Sequence, residues 1–190
     1  MKNILNVLVC LLVSFNVLAE SSREKDSHEH GAANVMLAME GEKLQLNFEV
    51  PSESLIGFEH FPKSQDQRWY FNEAIKTLLE PSKLFSIPAN AECLLVGIKV
   101  SQSLFSAEDE HGHDEKDEHG HDESDKSEIH SEFSSKYHWN CEHLDEIDSI
   151  ATQLMNIFPR IEEIRVRWIT KNNQGSIELE SKDDRIKGWK

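Results

Sequence analysis

The sequence predicts an α+β fold that is mostly antiparallel β-sheet, with one or two helices and a long disordered loop inserted between strands. Three observations predict it. Several short segments alternate apolar and polar residues, as half-buried strands do. One segment has helical spacing after a capping box. A histidine-rich acidic segment, residues 107–128, separates two strand patterns and has no apolar side chain larger than alanine.

Residues 1–19 have the pattern of a secretory signal peptide. Lys2 precedes a mostly apolar run over residues 4–18, which ends in a cleavage site before Glu20. A membrane-spanning helix needs about 20 apolar residues, so this run is too short to be one. Cleavage removes the single charge of Lys2 and changes the formal net charge from −15 to −16. We expect residues 20–190 to form one domain that is not inserted into a membrane.

The first elements of this domain are a hairpin and a helix. Residues 35–39 and 44–50 alternate around Gly41, which predicts two strands joined by a tight turn. Ser64 and the residues after it resemble a capping box, and apolar residues then continue at helical spacing. Pro81 ends this helical run because proline cannot donate the helical hydrogen bond.

Strands flank the acidic segment on both sides. Residues 94–100 predict a strand whose even-numbered side chains share one face, and residues 133–141 predict the returning strand. Residues 164–179 predict a final hairpin with a turn near residue 173. Residues 144–158 fit either a helix or a strand, and the sequence does not decide between them.

Cys93 and Cys141 remain after signal-peptide cleavage. An isolated pair in an oxidising compartment is most simply a disulfide, and the two predicted strands would place them at neighbouring ends. Two thiolate ligands for a metal are the alternative, but the chain has no CxxC spacing that would support it.

The acidic segment, residues 107–128, contains an internal repeat. Residues 110–117 read EHGHDEKD, and residues 118–125 read EHGHDESD. Eleven carboxylates and two lysines give the segment a charge of −9, since eleven minus two is nine. It cannot offset its ordering entropy by burying apolar surface, so we expect it to be disordered when no ligand is bound.

Histidine is the residue type that points to a function. Side chains at positions i and i+2 of an extended chain face the same way, so paired histidines can bind one ion, and Zn²⁺ commonly takes imidazole nitrogens and carboxylate oxygens. Calcium binding by carboxylates alone would leave the histidines unused, and no EF-hand spacing is present. The candidate ligands in histidine clusters are His28, His30, His111, His113, His119, His121, His130 and Glu132. For His138 and His143, which flank Cys141, the sequence favours a role other than metal binding.

Several other classes of function are excluded or disfavoured. The acidic charge argues against nucleic acid, because phosphate binding needs a basic surface. The motifs HExxH, GxSxG, GxGxxG and a P-loop are absent, so we expect no enzymatic activity. A zinc-dependent hydrolase with ligands from distant segments is an alternative, but nothing in the sequence identifies its general base. We expect a monomer whose partners include divalent metal ions.

The order of these motifs resembles the ZrgA family of zinc-regulated periplasmic zinc-binding proteins, over nearly the whole secreted chain. The resemblance includes the helix with Trp69, the strand that follows Cys93 and the acidic segment. It also includes the final hairpin and these stretches: residues 28–31, Pro51, Gly57-Phe58-Glu59-His60 with Pro62, residues 91–93, residues 137–141 and Ile157-Phe158-Pro159. Because the Gly57–His60 stretch matches the family pattern, His60 joins the candidate ligands.

The resemblance implies a periplasmic protein that captures Zn²⁺ and assists its uptake, alongside an outer-membrane receptor and inner-membrane zinc transporter components. A buffer that sequesters metal without delivering it is the alternative. The ligand types do not identify the physiological metal, because Cu²⁺ and Ni²⁺ also bind imidazole.

Overall fold

The computed structural model describes residues 30–103 and 131–190. The predicted signal peptide, residues 1–19, lies outside the described residues. So do His28, His130 and the acidic segment with His111, His113, His119 and His121.

The described residues form nine strands, four α-helices and two short 3₁₀ helices, Ala89–Ala91 and Leu144–Glu146. The strands are β1 (Ala32–Glu40), β2 (Lys43–Pro51), β3 (Phe85–Ser86), β4 (Cys93–Gln102), β5 (Glu132–Cys141), β6 (Ser149–Thr152), β7 (Glu163–Thr170), β8 (Gln174–Leu179) and β9 (Arg185–Lys187). The helices are α1 (Ser52–Ile56), α2 (Gln65–Leu78), α3 (Pro81–Leu84) and α4 (Leu154–Ile157). The predicted α+β class is confirmed, and the acidic segment lies between β4 and β5.

Six strands form the main sheet in the order β4-β5-β2-β1-β7-β8, and β3, β6 and β9 form a smaller sheet. Every pair in the main sheet is antiparallel except β1 and β7. The predicted first hairpin is present: Glu40 pairs with Lys43, and Gly41 takes a φ of 60° in the turn. This left-handed conformation favours glycine, which has no Cβ to clash.

One face of the main sheet is buried and the other faces solvent, as is common in antiparallel sheets. Helix α2 packs on the buried face of β5, where the Phe71 and Phe133 ring centroids are 5.6 Å apart. The Tyr137 hydroxyl donates a 2.8 Å hydrogen bond to the Leu78 carbonyl at the end of α2. The ring contact and this hydrogen bond hold the middle of β5 against α2. Burial also raises the pKa of Tyr137 to about 12.

The capping box that opens α2 is confirmed. Ser64 Oγ accepts from the Gln67 backbone N–H, and the Gln67 side chain accepts from the Ser64 backbone N–H. The apolar residues of α2 divide by position: Ala74 and Leu78 are buried, whereas Trp69 is 57% exposed.

The predicted common face of β4 is wrong at its start. A β-bulge lies between Leu95 and Gly97, so Leu94 pairs with solvent-facing Asn140 while Ile98 pairs with buried Tyr137. One extra residue in a strand moves the following side chains to the opposite face. Gly97 alone signals the bulge in the sequence.

Residues 144–158, which the sequence left open, contain both kinds of element. Strand β6 pairs with β3 and β9, and α4 follows it immediately. In residues 30–103 and 131–190, no helix is both long and apolar enough to cross a membrane.

Candidate functional site

One end of the main sheet joins the described ranges to residues 1–29 and 104–130. Strands β1 and β5 begin there, and β2 and β4 end there, since Pro51 pairs with Glu132 and Gln102 pairs with Phe133. We call it the loop end. It carries three of the predicted zinc ligands, which are His30, His60 and Glu132.

His30 directly precedes β1 and contacts helix α1. Its Nδ1 lies 3.3 Å from Glu53 Oε2, and both side chains are partly exposed. The neighbouring backbone is fixed because the Gly31 N–H donates to Ser54 Oγ at 2.9 Å. A carboxylate at Nδ1 favours the tautomer whose proton is on that nitrogen, which leaves Nε2 with its lone pair for a metal.

His60 follows α1 in the chain and has a similar arrangement. Its Nδ1 lies 2.8 Å from the Phe61 carbonyl oxygen, which can only accept, so Nδ1 is the donor and Nε2 keeps its lone pair. The ring stacks on Phe58 with 5.2 Å between centroids. The ring is exposed but oriented on both sides by its neighbours.

Glu132 begins β5 and is held by its backbone. Its N–H donates to Ser103 Oγ at 2.8 Å, and its carbonyl accepts from the Ser103 N–H at 3.0 Å. The adjacent Ser131 carbonyl accepts from the Ser52 N–H of α1 at 2.8 Å. These bonds tie the start of β5 to both α1 and β4, so the backbone of Glu132 is held in a fixed position.

The loop end does not assemble a complete site from the described residues. Among residues 30–103 and 131–190, no three potential ligand atoms at this end lie within 4.8 Å of one another. In the sequence, His28 is two positions before His30, and His130 directly precedes Ser131. The ligand set proposed from the sequence therefore extends beyond the described residues.

The opposite end of β4 and β5 carries the predicted disulfide. Cys93 and Cys141 face each other in the strand register, and their sulfur atoms are bonded. We call this the disulfide end. Disulfides are typical of proteins outside the cytoplasm.

Three potential metal ligands meet at the disulfide end. The ligand atoms of Glu92, Glu142 and His143 all lie within 4.8 Å of one another, and the three side chains are exposed. The sequence reasoning missed this group, because His143 was not favoured as a ligand and the two glutamates are separated by 50 positions. The predicted disulfide was the available signal, since bonding Cys93 to Cys141 also brings their neighbours together.

A comparison with protein families decides the relationship. The model of the ZrgA family, described as zinc uptake proteins, matches residues 27–188. The chain belongs to the ZrgA family. No curated protein matches the chain. The match includes residues 30–103 and 131–188 of the described ranges and the acidic segment, so the sequence resemblance to ZrgA is confirmed. The ZrgA description names zinc uptake and no chemical reaction.

Because the ZrgA family is described as zinc uptake proteins, zinc is the metal that the candidate ligands at the two ends would bind. The structure places His30, His60 and Glu132 on three neighbouring pieces of chain at the loop end. His28, His130 and the four histidines of the repeats lie outside the described residues, and the complete ligand set stays a prediction.

Proposed function

We propose that this ZrgA protein captures Zn²⁺ in the periplasm and assists its uptake by passing it to transport components in the two membranes. One observation carries the proposal. His30, His60 and Glu132, which are far apart in sequence, lie at the same end of the sheet, where the segments with the other histidine clusters join the fold.

The proposed mechanism uses two kinds of zinc site. The HGH repeats of the acidic segment bind first, with modest affinity and fast exchange, since the segment must lose conformational freedom on binding. A tighter site uses ligands from His28, His30, His60, His130 and Glu132. Glu53 and the Phe61 carbonyl orient two of these imidazoles before metal arrives, which reduces the entropy that binding must offset.

The periplasmic location is supported by two features. The N-terminal pattern is that of a cleaved signal peptide, and the chain forms a disulfide. The acidic surface charge favours the capture of cations by raising their local concentration. The proposed partners are an outer-membrane receptor and inner-membrane zinc transporter components.

Growth of a deletion strain tests delivery against buffering. A delivery protein is needed when zinc is scarce, so we expect the strain to grow poorly in medium with a zinc chelator and to recover when zinc is added. A buffer predicts the reverse, with poor growth at high zinc and normal growth in the chelator. That reverse result would reject delivery.

A titration of purified protein tests the tighter site. We expect the His30→Ala/His60→Ala variant to lose the tightest class of Zn²⁺ binding, measured by competition with a chromophoric chelator. His138→Ala is the matched control, because His138 is exposed on the solvent face of β5 and belongs to no group of potential ligands in the described residues. Equal affinity in both variants would contradict a site that uses His30 and His60.

A further inference from the structure

We propose that Glu92, Glu142 and His143 form a second, separate zinc site at the disulfide end. The proposal rests on the proposed function only in taking Zn²⁺ as the cargo. Three ligand atoms from two pieces of chain already lie within 4.8 Å of one another, which is close enough for one ion to contact all three after small side-chain rotations.

The backbone holds the three ligands together. The Glu142 N–H donates to the Glu92 carbonyl at 3.4 Å, and the His143 N–H donates to the Ala91 carbonyl at 3.1 Å. The disulfide joins the residues directly beside Glu92 and Glu142. The two pieces of chain are therefore bound covalently and by hydrogen bonds, so little backbone freedom is lost when metal binds.

No other side chain of the described residues pairs directly with the charges of this group. Within residues 30–103 and 131–190, Glu92, Glu142 and His143 make no ion pair or side-chain hydrogen bond with another residue. Two carboxylates held close together repel each other, and a bound cation would convert that repulsion into attraction. The imidazole selects Zn²⁺ over Ca²⁺ or Mg²⁺, which prefer oxygen ligands alone.

The second site is too far from the loop end to share an ion with it. Glu132 and Cys141 stand at opposite ends of the ten-residue strand β5. With about 3.3 Å of rise per residue, nine steps separate them by roughly 30 Å. An ion at one end therefore cannot contact ligands at the other.

The arrangement suits transient binding. Three protein ligands leave a fourth position of tetrahedral Zn²⁺ open to water or to a ligand from an acceptor protein. Since all three side chains are exposed, an acceptor could approach the ion directly. The disulfide end is thus a place where zinc can be exchanged without passing through the acidic segment.

The test is a site-resolved titration of the full secreted chain with Zn²⁺. We expect NMR signals of Ala91, Glu92, Glu142 and His143 to shift and saturate with zinc, and total stoichiometry to fall by one ion in His143→Ala. Glu142→Gln, which keeps the shape of the side chain, should weaken the same site at least tenfold. Asp145→Asn is the matched control, since Asp145 is exposed nearby and lies outside the group.

The outcomes separate this site from the proposed function. If zinc binds but these signals stay unchanged and His143→Ala keeps the full stoichiometry, the second site is overturned while capture at the loop end stands. If the disulfide-end signals shift while the deletion strain grows normally in chelated medium, delivery is rejected and the second site stands. Thermal unfolding of each variant excludes a loss of fold as the cause.

Discussion

The two ends of the main sheet hold their candidate ligands in different ways. At the loop end, His30 and His60 are oriented by single hydrogen-bonding partners, and the predicted ligand set continues into residues outside the described ranges. At the disulfide end, a covalent bond and two backbone hydrogen bonds hold Glu92, Glu142 and His143 together. The candidate site at the loop end therefore needs ligands from several segments of the chain. The candidate site at the disulfide end needs two pieces of chain that one crosslink joins.

The largest expected effect concerns that crosslink. The disulfide closes a loop across 48 positions, and the chain-entropy model gives it about 4 kcal/mol of stabilisation. We expect Cys93→Ser/Cys141→Ser to lower the free energy of unfolding by about this amount, measured by urea denaturation in zinc-free buffer. Native-state hydrogen exchange should increase first near Glu142. Equal increases at both ends would show that the disulfide does not act locally.

Acidification should distinguish the two ends by their number of histidine ligands. Zinc binds neutral imidazole, and histidine in model peptides titrates near pH 6.5. Each histidine ligand therefore costs about tenfold in affinity between pH 7.5 and pH 5.5. We expect about tenfold weaker binding at the disulfide end, which has one histidine, and about a hundredfold or more at the loop end. Calorimetric titrations of His143→Ala and of His30→Ala/His60→Ala at both pH values isolate each end when residues 107–128 are replaced by a Gly/Ser linker, which removes the HGH repeats.

Equal pH dependence in those two variants would contradict this assignment of ligands. Unchanged affinity in both would exclude histidine ligation altogether.

Tyr137 lies on β5, the strand that connects the two ends, and its ionisation should affect stability at high pH. Its hydroxyl is buried, and burial raises its pKa to about 12, whereas an unfolded tyrosine ionises near 10. The folded state therefore keeps the Tyr137 proton to a higher pH than the unfolded state does. The free energy of unfolding is unaffected by this group below pH 10 and decreases as the pH rises toward about 12. We expect wild-type protein to lose about 1.4 kcal/mol by pH 11 from this group. Urea denaturation at pH 9 and pH 11 measures it.

Two tyrosine variants make this measurement specific. Tyr137→Phe should remove that part of the pH dependence, and Tyr70→Phe should retain it, because Tyr70 is 54% exposed. An identical pH dependence in all three proteins would show that Tyr137 is not protected by burial.

The sequence predicted the strands well because alternation directly reports which face is buried. Phe133, Tyr137 and Trp139 all lie on the buried face of β5, as their shared parity predicted. The parity of β4 was wrong at Leu94, because a bulge changes the face without changing composition. The parallel pairing of β1 with β7 also carries no local signal, since it depends on which distant strands meet.

The candidate sites show the same limit. Clustered histidines such as His28 and His30 are visible in the sequence because both ligands lie within three positions. The group of Glu92, Glu142 and His143 is invisible to such a search, because its two parts become neighbours only through strand register and a disulfide. A ligand group could be predicted from the sequence when its members are close in sequence, but not when long-range strand pairing brings them together.

The smallest expected effect comes from the acidic segment and bears on how independent the two ends are. Residues 107–128 have no apolar side chain that could join the core, and the Ser103 and Glu132 backbones already pair beside it. We expect replacement of this segment by a short Gly/Ser linker to change the free energy of unfolding by less than about 1 kcal/mol, because loop closure costs only about 0.6 kcal/mol for each doubling of loop length. Zinc-free thermal and urea denaturation measure this change.

A chain in which the residues of the acidic segment are shuffled, so that the histidines are separated, is the matched control for charge and length. The linker variant should lose the weak class of zinc binding but keep one ion at the disulfide end. Loss of cooperative unfolding, or loss of that ion, would show that the acidic segment supports the fold or the distant site.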